Sequence, residues 1–365
     1  MTLSSDVYNI VKALGQSNRV CQVSLVRLTD RQLEEVVAAM QVPFPMLTLL
    51  QLFSDGETPP VDLDSFLGGS ASHLRVIESD GIPFPGLPKL LLSATHLLHL
   101  ELSNIPHSGY ISPEAMAALL AVLSSLETLC LEFQSPQSRP DWVNRRPPPS
   151  KRSVIPALER FHFKGVVKYL EDLVTFIDVP QLKHSKITFT NQNDFDGPRL
   201  AQFISRTQTL KHDAHVQFGG DTAGVQLSLG PGAFEINIYS IGPDRQVSSV
   251  TRVCNSCLPP LSMIEDLYID YRYSGGVWMN GVSEWLELLL LFPAVKNLYL
   301  SKIFAPRIVT ALQEIVGTEV LPNLQKIILE LEPLGRFQKN IEQFVAAREL
   351  SGHSITISVR DRSWI

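Results

Sequence analysis

Apolar residues recur along this chain with two alternating periods. Trp285, Leu288, Leu289 and Phe292 fall at i, i+3, i+4 and i+7, the spacing of one helical face. Phe292-Pro293 closes that helix, and Val295, Leu298 and Leu300 follow with the spacing of a short strand. Ile308, Ala311, Leu312 and Ile315 restate the helical period, and Leu324, Ile327 and Leu329 restate the strand. One helix–strand unit therefore occurs twice within residues 285–329. The same helical spacing joins Leu33, Val36, Val37 and Met40, behind Thr29-x-x-Gln32 as a capping box. It joins Met116, Leu119, Leu120 and Leu123 behind Ser112-Pro113, with proline at the first helical position. Leu170, Leu173, Val174 and Ile177 form another copy, Leu200, Phe203 and Ile204 a shorter one, and Ile341, Phe344 and Val345 open the last helix.

The strands can be tracked by their first apolar residue. Val20, Leu47, Leu74, Leu97, Leu126, Leu158, Leu182 and Leu210 are separated by 23 to 32 residues, and Ile264, Val295 and Leu324 continue the series. The step from Leu210 to Ile264 is 54 residues, two periods, and residues 234–241 (FEINIYSI) are expected to fill the gap. An L-x-x-L-x-L strand alternating with a helix is the grammar of a leucine-rich repeat. The pattern thus predicts an α/β solenoid of roughly 11–12 leucine-rich repeats, a horseshoe with a parallel concave sheet and outer helices. All of residues 1–365 are expected to form one such domain. Three stretches depart from the rhythm. Residues 134–153 hold five prolines and five basic residues and read as a surface loop insertion. Residues 219–243 are glycine-rich and read as an irregular repeat. Residues 353–359 alternate Ile355, Ile357 and Val359 inward, as a terminal strand that caps the stack.

Composition narrows the classes without choosing a function. The 365 residues are 44% hydrophobic with mean hydropathy +0.08, ample for a large core. Net charge is −6, which gives no global field to recruit nucleic acid or an anionic membrane. Four scattered cysteines, Cys21, Cys130, Cys254 and Cys257, do not make a disulfide framework. No N-glycosylation sequon occurs, no continuous apolar signal core opens the chain, and the longest apolar runs (115–123 and 288–292) fall far short of a membrane span. An intracellular protein of the cytoplasm or nucleus is expected, with neither nucleic acid nor membrane as partner.

Catalytic and metal motifs yield little. His212-x-x-His215 and Cys254-x-x-Cys257 contain four zinc-type ligands. Counted from Leu210, however, His215 falls inward and His212 outward, so their side chains are expected to diverge. The Gly219–Gly224 stretch lacks the Asp-Thr/Ser-Gly triplet of an aspartic protease, and Gly230-x-Gly232 lacks the third glycine of a dinucleotide loop. No phosphate-binding lysine loop or nucleophile elbow exists. No enzyme, cofactor or metal is expected. What remains is the strand face opposite the core. The alternation places Gln51, His99, Glu101, Thr128, Glu132, Arg160, His162, Lys164, Asp266, Tyr268, Asp270, Asn297, Tyr299, Lys326 and Glu330 there. Glu101, Arg160, His162, Asp266, Tyr268, Asp270, Asn297, Tyr299 and Lys326 are the candidate partner-binding residues. Tyr268 and Tyr299 stand in consecutive units, and tyrosine joins contact area to a polar tip.

Several longer phrases carry a resemblance as a set. They are residues 87–112 (LPKLLLSATHLLHLELSNIPHSGYIS), 124–133 (SSLETLCLEF), the loop at 135–153, and 163–178 (FKGVVKYLEDLVTFID). Residues 285–306 (WLELLLLFPAVKNLYLSKIFAP), 311–317 (ALQEIVG) and 344–353 (FVAARELSGH) complete it. In these the chain resembles the F-box and leucine-rich-repeat proteins of mushroom-forming, basidiomycete fungi. The resemblance implies that the repeat domain selects the substrate of a ubiquitin ligase, while an F-box docks on a Skp-type adaptor. Residues 1–17 (MTLSSDVYNIVKALGQS) offer one short helix and no Leu-Pro-x-Glu opening, so the adaptor is expected as a partner only if an F-box precedes them. The alternative expectation is a repeat-only scaffold unrelated to ubiquitin. A GTPase-activating protein with a positioned arginine fits least, because spacing singles out none of the arginines.

Overall fold

The computed structural model describes residues 7–54, 65–84, 86–134, 152–190, 195–207, 210–229, 232–239, 242–271, 281–314, 320–330 and 338–360. It is mixed α/β, with mostly parallel strands, and divides into two compact units, Met1–Ser185 and Lys186–Ile365. Among the described residues no helix is long and apolar enough to cross a membrane. Most of the basic insertion expected at 134–153 lies outside the described residues.

In the first unit, strands β1 (Gln22–Leu28), β2 (Leu49–Ser54), β3 (Val76–Asp80), β4 (His99–Ile105), β5 (Thr128–Phe133) and β7 (Arg160–Gly165) pair in parallel, each with the next. The short strands β6 (Ser153–Val154) and β8 (Ile177–Asp178) form a separate parallel pair. The expected strand starters explain this order. Leu47, Leu74, Leu97, Leu126 and Leu158 are each at most 1% exposed, plugging the turn that leads into a strand. The residue after each plug then donates its N–H to the same position of the unit before. Thr48 bonds Cys21 O, Arg75 bonds Thr48 O, Leu98 bonds Arg75 O, Glu127 bonds Leu98 O and Glu159 bonds Glu127 O, all at 2.8–2.9 Å. Parallel strands need this crossover geometry, since no hairpin can connect them.

The predicted helices fill the connections. α1 (Val7–Leu14) opens the chain and α2 (Asp30–Ala39) follows β1, its Thr29–Gln32 capping box fully formed and Leu33, Val36 and Val37 buried. α3 (Leu87–Leu91) precedes β4. α4 (Pro113–Leu120) starts where Ser112 accepts from the Ala115 N–H. α5 (Val167–Phe176) buries Leu170, Leu173 and Val174, and ends one residue early because Ile177 begins β8. Beneath the sheet, Tyr169 packs on Phe133 at 4.6 Å and on Phe163 at 5.8 Å, and its hydroxyl donates to Ile111 O at 3.0 Å. The buried ring body and satisfied hydroxyl are what a core tyrosine requires. At the end of this unit Lys183 and His184 both donate to Glu159 O as the chain enters β9 (His184–Thr190).

The second unit departs from strictly parallel order. Helix α6 (Pro198–Thr207) leads to β10 (Leu210–Phe218), β11 (Thr222–Leu229) and β12 (Ala233–Tyr239), which form an antiparallel meander. Residues 234–241 therefore do not bridge Leu210 and Ile264 as one more parallel strand. Their described part lies in β12, and β10 itself pairs in parallel with β13 (Asp266–Tyr271). The three-residue loop Gly219-Gly220-Asp221 makes a hairpin, and Gly224 shows why it fits. A Cβ there would lie 2.6 Å from Ile236 O, so only glycine lets β11 and β12 approach. α7 (Pro243–Cys257) secures the hairpin through the buried Gln246, which donates to Gly219 O at 3.0 Å and Gly220 O at 3.2 Å.

Strict alternation resumes with α8 (Val282–Leu289), β14 (Asn297–Leu300), α9 (Ala305–Glu314), β15 (Lys326–Glu330), α10 (Gln338–Leu350) and β16 (Thr356–Arg360). Strands β13 to β16 pair in parallel, and the turn ladder recurs, from Glu265 N to His212 O through Thr356 N to Gln325 O. Trp285, Phe218 and Phe304 form the core cluster, centroids 5.1–5.5 Å apart. The capping strand differs from expectation. Ile357 and Val359 stand opposite Ile327 and Leu329, but Val359 is 42% exposed and Ile357 half-buried; only Ile355 is buried.

Candidate functional site

Strand alternation leaves one face of each sheet to polar side chains, and parallel register lines them up in rows. In the first unit the row four residues past each plug runs Gln51, Glu78, Glu101, Cys130 and His162. Neighbours in such a row are about one strand spacing apart, roughly 4.8 Å, so adjacent carboxylates repel unless something bridges them. His99, from the neighbouring row, does so: its Nε2 lies 3.8 Å from Glu78 and 3.4 Å from Glu101. Gln51 donates to Glu78 at 2.7 Å and Ser103 to Glu101 at 3.2 Å. Further along, Cys130 Sγ is 3.6 Å from His162 Nδ1 and 3.9 Å from Glu132 Oε1. His162 Nδ1 and Glu132 Oε1 are 3.6 Å apart, and Lys164 Nζ lies 3.5 Å from Glu132 Oε2. Burial, joined by the charges of Glu132 and Glu101, raises the Cys130 thiol to about 12. Arg160 stands at the exposed margin, its Nε donating to Thr128 Oγ1 at 3.0 Å.

In the second unit the corresponding row is Gln226, His215, Tyr268, Tyr299 and Ile328. Its three rings form a ladder. His215 stacks on Tyr268 with centroids 4.1 Å apart and planes 3° from parallel, and Tyr268 stacks on Tyr299 at 4.0 Å and 12°. Burial, a hydrogen bond with Tyr299 and nearby Asp266 and Asp213 hold the Tyr268 hydroxyl well above the usual phenol range, so it stays neutral. The row on one side holds Asp213, Asp266, Asn297 and Lys326; the other side holds Gln217 and Asp270. Ser228 donates to Asp213, Asn297 donates to Asp266 at 2.8 Å, and Asp213 lies 3.9 Å from His215. Glu235, paired with Gln226, adds another carboxylate. The product is a half-buried aromatic strip between acidic margins.

No protein-family model matches the chain, and no curated protein matches it.

The candidate residues thus fall into two groups, each within its own unit. Glu101, Arg160 and His162 share the first face; Asp266, Tyr268, Asp270, Asn297, Tyr299 and Lys326 share the second. His215 is a correction. It lies on the polar face, because Ala214, Val216 and Phe218 are the buried residues of β10. The equivalent of the Ile264 position is Lys211, not Leu210, and a one-residue offset sends every side chain of a strand to the opposite face. Of the four zinc-type ligands, His212 Nδ1 donates to Met263 O at 2.9 Å, His215 stacks on Tyr268, and Cys254 and Cys257 are buried in the last turns of α7. Glu78, Cys130, Asp213, His215, Gln226 and Glu235 are site residues that sequence reasoning did not select. The first two sit four residues past Leu74 and Leu126, as Glu101 and His162 do past Leu97 and Leu158.

Proposed function

We propose that this protein is a non-enzymatic protein-binding module, a leucine-rich-repeat solenoid whose partner lies on the strand face. The aromatic ladder His215–Tyr268–Tyr299 between carboxylates carries the reading. Stacked rings present contact area at little entropic cost, and tyrosines dominate interface energetics. The surrounding Asp213, Asp266, Asp270 and Glu235 outnumber Lys326, so charge complementarity favours a basic segment of the partner. An arginine there could lay its guanidinium on a ring edge or face while pairing with a carboxylate.

The resemblance to fungal F-box and leucine-rich-repeat proteins supports a narrower role within this reading: recognition of the substrate of a ubiquitin ligase, in the cytoplasm or nucleus. A Skp-type adaptor would then join through an F-box upstream. A repeat-only scaffold binds by the same face and needs no adaptor, so co-purification of an upstream-extended chain with the adaptor separates the two.

The binding surface is tested with an array of basic, neutral and acidic peptides, probed with the wild type and with Tyr268→Ala/Tyr299→Ala. Basic peptides should be retained, with affinity falling as salt rises. Loss of the two rings should weaken binding by about 30-fold, the scale of a hot spot. Equal retention of acidic peptides, or a loss below twofold in the variant, refutes the surface.

A further inference from the structure

We propose that Cys130, Glu132 and His162 form a binding site for a divalent cation of the zinc class. The site is independent of the aromatic ladder and lies in the other unit. Its ligands come from two adjacent strands. Cys130 and His162 stand directly opposite each other in the β5–β7 register, and Glu132 follows Cys130 by two residues, on the same face. The register therefore gathers a thiol, an imidazole and a carboxylate from positions 32 residues apart in the chain.

The distances suit a tetrahedral ion. Bonds of about 2.3 Å to sulfur and 2.0–2.1 Å to nitrogen or oxygen hold ligand atoms roughly 3.3–3.6 Å apart. Here the three separations are 3.6, 3.9 and 3.6 Å. The centre of that triangle lies about 2.1 Å from each atom, a metal–ligand bond length. An ion slightly above the plane meets all three without a backbone shift. Lys164 holds the other oxygen of Glu132, which orients the carboxylate as an outer partner does in metal sites.

Ligand chemistry sets the class of ion. Thiolate and imidazole favour zinc and its neighbours over magnesium or calcium, which prefer oxygen alone. Three protein ligands leave the fourth tetrahedral position to water or to a side chain of a partner. The other cluster of ligand atoms among the described residues, Glu78, His99 and Glu101, offers no sulfur and serves as an internal control.

The full chain, stripped of metal with a chelator, would be titrated with Co²⁺ and then Zn²⁺. Binding at this site should produce a thiolate-to-cobalt charge-transfer band and tetrahedral ligand-field bands at one equivalent, bleached by Zn²⁺. Cys130→Ser should abolish the charge-transfer band. His162→Gln and Glu132→Gln should each weaken Co²⁺ binding by about tenfold or more. Glu78→Gln, two strands from Cys130, should leave it within twofold. Circular dichroism checks the fold of each variant, and if Cys130→Ser does not fold, the two half-exposed ligands decide the matter. No charge-transfer band in the wild type, its survival in folded Cys130→Ser, or unchanged affinity in both His162→Gln and Glu132→Gln would overturn the proposal.

Discussion

The polar faces of the two units use one backbone pattern for opposite chemistry. Four residues past each plug, the first unit places Glu78, Glu101, Cys130 and His162, and the second places His215, Tyr268 and Tyr299. Parallel register imposes the same strand spacing on both rows. Rings satisfy it by stacking on one another at 4.0–4.1 Å, with Asp213 3.9 Å from His215 at one end. Carboxylates at that spacing repel, so Glu78 and Glu101 rely on Gln51 in their own row and on His99 and Ser103 from the rows beside it. The difference teaches that a row of like side chains in such a sheet is either self-sufficient or embedded in a network. Substitutions should therefore stay local in the aromatic row and spread in the charged one.

The largest effects should come from beneath the faces, where the two units resemble each other. Trp285→Ala and Phe163→Ala each empty a fully buried aromatic site and should cost about 3–5 kcal/mol in denaturant unfolding. A much smaller cost for one of them would mean that the units differ in their cores as well as on their faces.

A sharper probe is the meander of the second unit, which has no counterpart among the described residues of the first. Gly224→Ala should cost about 1–3 kcal/mol, because the new methyl group meets the backbone of Ile236. Hydrogen exchange should locate the damage in β11 and β12. Gly220→Ala, four residues away with nothing within 4 Å, should leave stability unchanged and serve as the control. Equal effects would show that hairpin conformation, not close strand approach, governs this region.

The smallest expected change tests the rows themselves. Tyr299→Leu and Glu101→Gln should each alter stability by less than about 1 kcal/mol, as substitutions on half-exposed sites do. They should differ in reach. Chemical-shift changes from Tyr299→Leu should stop at Tyr268 and its contacts, whereas Glu101→Gln should perturb His99 and Glu78 together. Equally local responses would remove the distinction between the rows.

Much of this arrangement was legible in the chain because the buried leucines repeat in phase. Leu97 and Leu158 announce β4 and β7, and the phase they set also assigns Glu101 and His162 to the polar face. Tyr268 and Tyr299 follow from Ile264 and Val295 in the same way. The phase fails at Leu210, an apolar residue one position ahead of the true equivalent, Lys211. The alternation of Ala214, Val216 and Phe218 within AHVQF carries the right phase, but a count from Leu210 overrides it. FEINIYSI shows a second limit. Alternation marks a strand and its buried side, yet is identical for parallel and antiparallel pairing. Only Gly219-Gly220, a short break between two alternating runs, points to the hairpin. The proximity of Cys130 and His162 depends on register across a 32-residue connection, which neither residue signals alone.

The β10–β12 meander also bears on the order in which the second unit acquires its structure. Hairpins close over a few residues and form within about 1–10 μs, whereas non-local pairings must first close a long loop. β10 meets β11 across Gly219-Gly220-Asp221, but reaches β13 only after β11, β12 and α7 have been threaded through. The antiparallel patch is therefore expected to assemble early and to present β10 as a ready template on which β13, and with it the His215–Tyr268 stack, is laid down.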